Sequence, residues 1–353
     1  MAYDLFEIAG EQLKSLKPFV LYRKPSSKQL RLIVQSNTDV HRVRSFKERG
    51  FIMAPFNPDE LPLYLKPDNI FFDDHYIPTP FYQGEIPSEK SGDKSRNAHV
   101  ALVSKALKEI VSGPLNKVVV SRVIEVPLKA NPLQKFNNLL LEHSKAFCYF
   151  WYHPATGIWM GATPELFLSM KNNLITIYSL AGTKVTSDES PPLWTDKEKE
   201  EQRYVTDFIM EELTSVQLVP TASEPISIRA GQLWHLQTEI QARLAGNSLK
   251  SLISSLHPTP AVCGTPKENA IAFIQKYEDY NRRYYTGYLG EINLGNSGEC
   301  DLFVNLRCMA WSDGVARVYV GGGITQHSIP EEEWQETAQK STTITGALFN
   351  SFE

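Results

Sequence analysis

Apolar and polar residues alternate with a period of two in some segments of the chain, as in strands, and of about three and a half in others, as in helices. The segments "FVLYRK" and "QLRLIVQS", separated by Pro-Ser-Ser, predict a β-hairpin over residues 19–35. The β-branched segment "KVVVSRVIEVPL" predicts a strand, and residues 147–185 predict several strands joined by tight turns. Residues 286–323 predict three strands in an antiparallel meander, with "GNSGE" and "SDG" as the turns.

Five other segments have a helical pattern. They are "HVALVSKALKEIVSGP", "NPLQKFNNLLLEHSK", residues 196–216, "PKENAIAFIQKY" and the residues after Pro330. The second has Asn131 as its N-cap and Pro132 at its first position, which is typical of a helix start. The apolar face of the first comprises Val100, Val103, Leu107, Ile110 and Val111.

The order of these elements predicts the fold class. Strands occur in runs and do not alternate strictly with helices, which favours an α+β fold with antiparallel sheets. Residues 83–98 are polar and lack periodicity, so they predict a surface loop. We therefore expect one domain over residues 1–353, in which residues 1–95 form a less certain N-terminal portion and residues 95–350 the core.

Composition and charge exclude several classes of function. The net charge of −4 and a pI near 6.1 give no basic field for nucleic acid or an anionic membrane. No apolar run is long enough to cross a bilayer, and the N-terminus lacks a signal-peptide pattern. The four cysteines show no CxxC spacing. A reducing, cytoplasmic location is the simple expectation.

The last helix carries a charged stripe. Glu333, Glu336 and Lys340 stand at i, i+3 and i+7, so they share one face, which continues into Ile344 and Ala347. Acidic residues in the first turn suit the helix dipole, but that reason does not extend to this stripe. A charged stripe that turns apolar one turn later is expected to face a cleft.

The helix over residues 196–216 begins in a similar way. Glu201 lies four residues before Val205, which predicts that it sits at the start of the buried face, with Glu198 on a similar side. Each glutamate also fits a solvated first turn. Two such helices together suggest a Mg²⁺ site, because Mg²⁺ prefers carboxylate, water and substrate oxygens.

Three charged residues interrupt apolar strands. Lys117 begins one strand, Glu165 lies in "GATPELFLSM", and Arg307 lies in "VNLRCMAW". Both Lys117 and Glu165 could be solvated strand residues, but a desolvated lysine can act as a base and a protonated carboxyl as an acid. Arg307 requires an anion, and the backbone of Gly321–Gly323 could bind another.

The residue pattern therefore predicts a Mg²⁺-dependent enzyme with a small anionic substrate, without naming the reaction. A Mg-nucleotide site is disfavoured because the chain has no GxxxxGK[ST] motif. By pattern alone, His235 and His257 are more typical of packed or loop histidines than of ligands.

Several motifs resemble the chorismate-utilising family. They are "GATPELFL", "LAGT", "LWHL", "LHPTPAVCGTPKE", "YYTGYLG", "NLRC", "GGGIT" and "EEEWQETAQK", and they cover roughly residues 95–350. The family includes isochorismate synthases, salicylate synthases and the large subunits of anthranilate and aminodeoxychorismate synthases. The resemblance implies an anthranilate synthase component I-like fold, with two packed antiparallel β-sheets flanked by helices.

The resemblance also implies roles for individual residues. It places Mg²⁺ on Glu201, Glu333 and Glu336. The residues implied in binding chorismate are Ala181, Gly182, Thr183, His235, Ala261, Tyr288, Arg307, Gly321, Gly322, Gly323 and Lys340. The family often has Glu-His where this chain has Glu201-Gln202, so the neighbour of one metal ligand differs.

Lys117 distinguishes the branches of the family. It matches the general base of members that use water as the nucleophile at ring carbon 2, and Glu165 matches the acid that protonates the leaving 4-hydroxyl. The product would be isochorismate, destined for menaquinone or a siderophore. Ala261 favours stopping there, because members that eliminate pyruvate tend to carry threonine at this position. Tyr285, where some isochorismate synthases have phenylalanine, keeps a salicylate synthase open.

Two further alternatives remain at this point. An anthranilate or aminodeoxychorismate synthase would need ammonia or a glutaminase partner, and a non-catalytic chorismate-binding protein would need no intact Lys117–Glu165 pair. We expect a monomer without a glutaminase subunit.

Overall fold

The computed structural model describes residues 4–79, 92–128, 130–185, 190–230, 233–244 and 248–349. Seven helices lie within these ranges: α1 (Leu5–Lys14), α2 (Asp93–Ser112), α3 (Pro132–Glu142), α4 (Asp196–Ser215), α5 (Leu249–Leu256), α6 (Lys267–Tyr277) and α7 (Pro330–Phe349). The Asn131 side chain accepts a hydrogen bond from Leu133 N at 3.0 Å, which confirms the predicted cap of α3.

The strands of the described residues form two sheets. They are β1 (Phe19–Arg23), β2 (Leu30–Val34), β3 (His41–Arg42), β4 (Gly50–Met53), β5 (Leu63–Leu65), β6 (Asn69–Asp73), β7 (Lys117–Pro127), β8 (Phe147–His153), β9 (Gly157–Thr163), β10 (Leu166–Lys171), β11 (Leu174–Val185), β12 (Thr221–Ala222), β13 (Ile226–Ala230), β14 (Leu233–Arg243), β15 (Gly264–Thr265), β16 (Tyr288–Ile292), β17 (Cys300–Val304), β18 (Cys308–Ser312) and β19 (Val315–Ile324).

Strand pairing separates these strands into a first and a second sheet. The first sheet has the order β15-β7-β19-β18-β9-β8-β1-β2-β6. The second has the order β12-β14-β11-β10-β17-β16-β4-β5-β3, and β13 also pairs with β14. Neighbouring strands run antiparallel in both, for example β19 beside β7 and β11 beside β14. The predicted α+β fold with two antiparallel sheets is confirmed.

The core lies in layers because alternate residues of a strand point to opposite faces. In β1, Phe19 and Leu21 pack in a cluster against α1 and α3, whereas Val20 and Tyr22 pack in a cluster between the two sheets. Phe147 of the first sheet stacks on Phe303 of the second at 4.3 Å between ring centroids. A further cluster joins the second sheet to α4 and α5.

The chain passes from one sheet to the other at two positions that matter later. Pro164 and Glu165 connect β9 of the first sheet to β10 of the second, and residues 305–307 connect β17 of the second to β18 of the first. The two connections are hydrogen-bonded together: Val304 N donates to Glu165 O at 3.0 Å, and Ala162 N donates to Arg307 O at 3.1 Å.

Three predicted details were wrong. Residues 286–323 form four strands in two sheets, not one meander, because the chain changes sheets after β17. α2 begins at Asp93, so the end of the expected 83–98 loop is helical, while residues 83–91 lie outside the described residues. The predicted face of α2 was wrong in part: Val103 is buried and Leu107 and Ile110 pack against the same cluster, but Val111 is 75% exposed and the other buried residues are His99, Leu102 and Ala106.

The N-terminal portion contributes strands to both sheets. β1, β2 and β6 belong to the first sheet, whereas β3, β4 and β5 belong to the second. The division of the chain at about residue 95 stays a prediction. Within the described residues, no helix combines the length and the apolar character needed to cross a membrane.

Candidate active site

The two connections between the sheets bring Glu165 and Arg307 together. Arg307 has a φ of 47°, a left-handed conformation that its surroundings must hold in place. Gly161 allows this conformation, because a Cβ there would lie only 2.8 Å from Arg307 O. Arg307 interacts electrostatically with Glu165, so the cation and the carboxyl face the same space.

Lys117 reaches the same space from the start of β7. Its side chain crosses Gly323 of the neighbouring β19, where a Cβ would lie 3.0 Å from Lys117 Cε. Electrostatic interactions link the Lys117 ammonium to Glu201, Lys340 and Glu165. Three charged groups that are far apart in sequence therefore surround this lysine.

Burial shifts the pKa values of the two central groups in opposite directions. Burial lowers the pKa of Lys117, and Lys340 lowers it too, although Glu201 and Glu165 act against them. Burial raises the pKa of Glu165 to about 7, against the effects of Lys117, Arg307 and Lys340. Glu165 keeps a small exposed surface, as expected of a carboxyl at the bottom of a cleft. Burial thus makes Lys117 easier to deprotonate and Glu165 easier to protonate, the directions that suit a base and an acid.

The charged stripe of α7 faces the glycine end of β19, as the helical spacing predicted. A Cβ on Gly322 would lie 3.1 Å from Glu333 Oε2 and 3.8 Å from Glu336 Oε1. Lys340 Nζ donates to Gly321 O at 3.2 Å and pairs with Glu336 Oε1 at 2.6 Å. The side chains of residues 344 and 347 lie outside the described residues.

Glu333 is the carboxylate that most needs a cation. Its Oε2 is buried and has no hydrogen-bond partner among the residues that the structure describes. Burial raises its pKa, Glu336 and Glu332 raise it further, and a hydrogen bond with Ser328 lowers it. An unpaired buried carboxylate oxygen beside a second carboxylate is suited to a hard cation.

Glu201 approaches from α4, but not as predicted. It is exposed, and the next residue, Gln202, takes the buried position, at 3% exposure. Ile209 and Leu213 of the predicted apolar face are buried, and Val205 and Phe208 pack against the same cluster, but Gln202 takes the buried position that was predicted for Glu201. Glu201 is therefore free to face Lys117, with which it interacts electrostatically.

These carboxylates fit a Mg²⁺ ion that keeps part of its water shell. In the described part of the chain, no three carboxylate, imidazole or thiolate groups already stand together as a complete metal site. Mg²⁺ needs only one or two protein carboxylates beside water and substrate oxygens. Glu333 and Glu336, which lie together beside Gly322, would supply them, and the expected part of Glu201 stays a prediction.

His235 borders the group through Arg307. Burial lowers the pKa of His235, Arg307 lowers it further, and a hydrogen bond with the Gly182 backbone raises it. Gly182 lies at a bulge between Ala181 and Thr183 in β11, where its φ is 69°. The left-handed φ favours glycine there. The backbone of Thr183 pairs with His235, and its side chain lies outside the described set.

Of two further predicted substrate contacts, Tyr288 lies in the core and Ala261 lies beside Glu165. Tyr288 is 4% exposed, and its ring packs against Phe167 at 5.1 Å and His257 at 5.0 Å. The prediction that Tyr288 contacts substrate is not supported, because its ring is part of the core. Ala261 lines a small cavity of about 30 Å³ together with Glu165, so it lies beside the candidate acid.

Sequence reasoning missed the residue that secures α7 to β7. The Arg122 guanidinium carbon lies 3.8 Å from the centroid of the Trp334 ring, and Arg122 Nε donates to Thr337 Oγ1 at 2.9 Å. These contacts place the turn that carries Glu333 and Glu336. An arginine in the middle of "VVVSRVIEV" was the available signal, since a buried guanidinium needs partners.

Comparison with known proteins places the chain in a family. The family model described as "chorismate binding enzyme" matches residues 72–346 of this chain. The chain is 29% identical over 268 residues to isochorismate synthase DhbC of Bacillus subtilis (strain 168), covering 70% of this chain and 66% of that protein. It is 29% identical over 257 residues to isochorismate synthase MenF of Escherichia coli (strain K12), covering 69% and 58%. The chain thus spans less than two thirds of the length of these two relatives.

Solved structures show the same fold. The structure of MenF, the menaquinone-specific isochorismate synthase from Escherichia coli, matches with a TM-score of 0.78 at 20% identity, covering 98% of this chain and 91% of that chain. Anthranilate synthase component I from Streptococcus pneumoniae TIGR4 matches with a TM-score of 0.69 at 18% identity, covering 93% and 92%. The anthranilate synthase component I-like fold is confirmed. The family match begins in β6 and ends in α7. The chain therefore belongs to the chorismate-binding enzymes.

Proposed function

We propose that the protein is an isochorismate synthase, an isomerase that converts chorismate to isochorismate. The observation that carries this proposal is the Lys117–Glu165 pair, whose pKa values burial shifts in opposite directions within one cluster. Such a pair suits a reaction that needs a base on one side of the substrate and an acid on the other. The similarity to isochorismate synthases over about 70% of the chain supports the same reaction.

Lys117 and Glu165 would divide the proton transfers. Neutral Lys117 accepts a proton from water as the water oxygen bonds to ring carbon 2. The ring double bonds shift, the bond from carbon 4 to its hydroxyl oxygen breaks, and protonated Glu165 donates the proton that makes this hydroxyl leave as water. Each proton transfer by a positioned side chain typically contributes about 10²–10⁴-fold to the rate.

The remaining residues would bind and orient the substrate. A dicarboxylate substrate requires cations and N–H donors. These would come from Arg307, Lys340 and the backbone at Gly321–Gly323. His235 stands beside Arg307 and would border the ring. Glu201, Glu333 and Glu336 would hold Mg²⁺, which when bound neutralises a substrate carboxylate.

The test is one set of reactions analysed by NMR. Purified protein is incubated with chorismate and Mg²⁺, with and without ammonium and with and without EDTA. We expect isochorismate without ammonium and its loss with EDTA. The Lys117→Ala variant should lose turnover and stay folded, whereas the exposed-lysine control Lys108→Ala should keep it. Products that form only with ammonium, or full turnover in Lys117→Ala, would contradict the proposal.

The position of Tyr285 favours a second candidate, a salicylate synthase. Its hydroxyl oxygen would lie 3.0 Å from a Cβ on Gly321, so a phenol stands beside the backbone proposed to bind a carboxylate. Salicylate with released pyruvate in the same NMR assay would move the protein to this branch. Monomeric state, cytoplasmic location and independence from a glutaminase remain predictions, and turnover without ammonium or partner tests the last of them.

A further inference from the structure

A buried polar cluster lies between α4 and the second sheet, beneath Glu201. Gln202 Nε2 donates to Thr238 Oγ1 at 2.7 Å and lies 3.3 Å from Ser179 Oγ. Ser179 and Thr238 stand directly opposite each other on β11 and β14 and are 0% and 2% exposed. The carboxamide of one helical residue is therefore bonded to a pair of hydroxyls that joins two central strands.

A second helical residue completes this cluster. Thr206, one turn after Gln202, donates from Oγ1 to Ser179 Oγ at 2.9 Å and lies 3.0 Å from Gln202 Nε2. Around this cluster, α4 and the sheet share an apolar contact that includes Ile177 and Ile209, and Lys184 of β11 pairs with Glu198 at the start of α4 at 3.5 Å. A satisfied polar network inside an apolar interface specifies one relative position of its elements, because any other position would leave buried polar groups unpaired.

The first turn of α4 is fixed at another point as well. A Cβ on Gly182, at the bulge of β11, would lie 3.2 Å from both Glu198 Cβ and Glu198 O, so helix and strand are in close contact there. The Glu198 carboxylate accepts a hydrogen bond from Thr195 N at 2.8 Å and is committed to the helix start. Glu201 lies between this contact and the Gln202 cluster and is the carboxylate that remains for the cleft.

We propose that Gln202 is a positioning residue, whose bonds to the Ser179–Thr238 pair set the rotation of α4 and thereby aim Glu201 at Lys117 and at the metal. This inference rests on the proposed role of Glu201 as a Mg²⁺ ligand. Outer residues that orient metal ligands typically affect metal affinity by about 10–100-fold when they are replaced.

The test measures Mn²⁺ binding to the substrate-free protein by electron paramagnetic resonance, together with thermal unfolding. Gln202→Met keeps the length of the side chain and removes its hydrogen bonds, and it should weaken Mn²⁺ binding about tenfold. Thr238→Val tests the same network from the sheet and should weaken binding in the same direction. Arg203→Ala is the matched control, since Arg203 is next to Gln202 but 66% exposed in its ion pair with Asp207, and it should bind Mn²⁺ like the unchanged protein.

The combined variant distinguishes positioning from general loosening of the core. If both residues act through one network, Gln202→Met with Thr238→Val should bind Mn²⁺ no more weakly than Gln202→Met alone. Loss of thermal stability with Mn²⁺ affinity within twofold of the unchanged protein would overturn the inference and leave Gln202 a packing residue. Failure of the unchanged protein to bind Mn²⁺ would instead refute the metal part of the proposed function, and this inference with it.

Discussion

At the scale of single residues, Glu165 shows how position produces chemistry. It lies where the chain leaves the first sheet for the second, so its carboxyl is enclosed by both and its pKa rises to about 7. Three cations, Lys117, Arg307 and Lys340, lower this pKa without cancelling the effect of burial. The carboxyl can therefore be protonated at a pH where ordinary glutamates are charged.

The Glu165→Gln variant should change both activity and its pH dependence. In the unchanged enzyme, we expect turnover to fall as pH rises through about 7, because the acid form of Glu165 is lost. Glu165→Gln should lower kcat by about 10²–10⁴-fold and remove this alkaline limb. The measurement is kcat/KM from pH 5.5 to 9. An alkaline limb that persists in the variant would show that another group supplies the proton.

The same substitution should stabilise the fold at alkaline pH. The folded chain keeps the Glu165 proton up to about pH 7, whereas the unfolded carboxyl releases it near 4.5, so stability falls as pH rises across this window. Glu165→Gln should therefore gain about 1–3 kcal/mol over the unchanged protein at pH 8 and little at pH 4. Thermal unfolding at the two pH values measures this, with exposed Glu211→Gln as the control, which should show no such difference.

At the scale of elements, the three glycines at the end of β19 leave room for side chains of α7 and β7. Gly322 faces Glu333 of α7, and Gly323 lies beneath the Lys117 side chain of β7. The three consecutive glycines pair with residues 119–121 of β7, so the sheet is continuous there although its side chains are missing. Lys117 and the α7 carboxylates can approach the same backbone for this reason.

The Gly323→Ala variant should lower activity more than stability. The new Cβ would lie 3.0 Å from Lys117 Cε, and a flexible side chain can move aside at little cost to the fold. A displaced base is expected to lower kcat about 10–100-fold. Steady-state kinetics and thermal unfolding together check this.

Gly10→Ala in α1 provides the comparison for Gly323→Ala. Among the described residues, its Cβ would have only Leu133 Cδ1 nearby, at 3.9 Å, so activity should be unchanged and stability should rise by about 0.4–1 kcal/mol. Equal losses of activity in the two variants would contradict the role of Gly323.

At the scale of the whole molecule, two buried histidines connect stability to pH. His99 lies between α2 and α7, 6.0 Å from the Trp334 ring, and His257 Nε2 lies 3.0 Å from Pro55 O. Burial lowers the pKa of each to about 4, with a contribution from Arg122 at His99. Both histidines are therefore neutral in the folded chain at pH values where the same histidines of the unfolded chain become protonated.

Stability should fall as pH drops from about 6.5 towards 4, since only the unfolded chain gains these protons. Neither ring nitrogen of His99 has a hydrogen-bond partner in the described part of the chain. His99→Leu should therefore keep its stability at pH 7 and recover about 1–3 kcal/mol of the loss at pH 4.5. Urea unfolding at both pH values is the measurement. Exposed His75→Gln is the control, and an equal recovery there would refute the role of His99.

The sequence by itself determined the local elements and the identity of the chemical groups. The hairpin of β1 and β2, the Asn131 cap of α3 and the acidic stripe of α7 follow from short-range periodicity and from side chains that bond to nearby backbone. These features depend on residues within about one or two turns of each other, which is why a pattern predicts them.

Only the tertiary structure decided which of these groups meet and what their surroundings do to them. The four strands of residues 286–323 separated into two sheets, and Gln202 took the buried position predicted for Glu201, because burial against distant strands decides such choices. The same long-range packing enclosed Glu165 between Lys117 and Arg307 and moved Tyr288 into the core. Desolvation depends on every neighbour in space, so a local pattern could name these residues but not their environment.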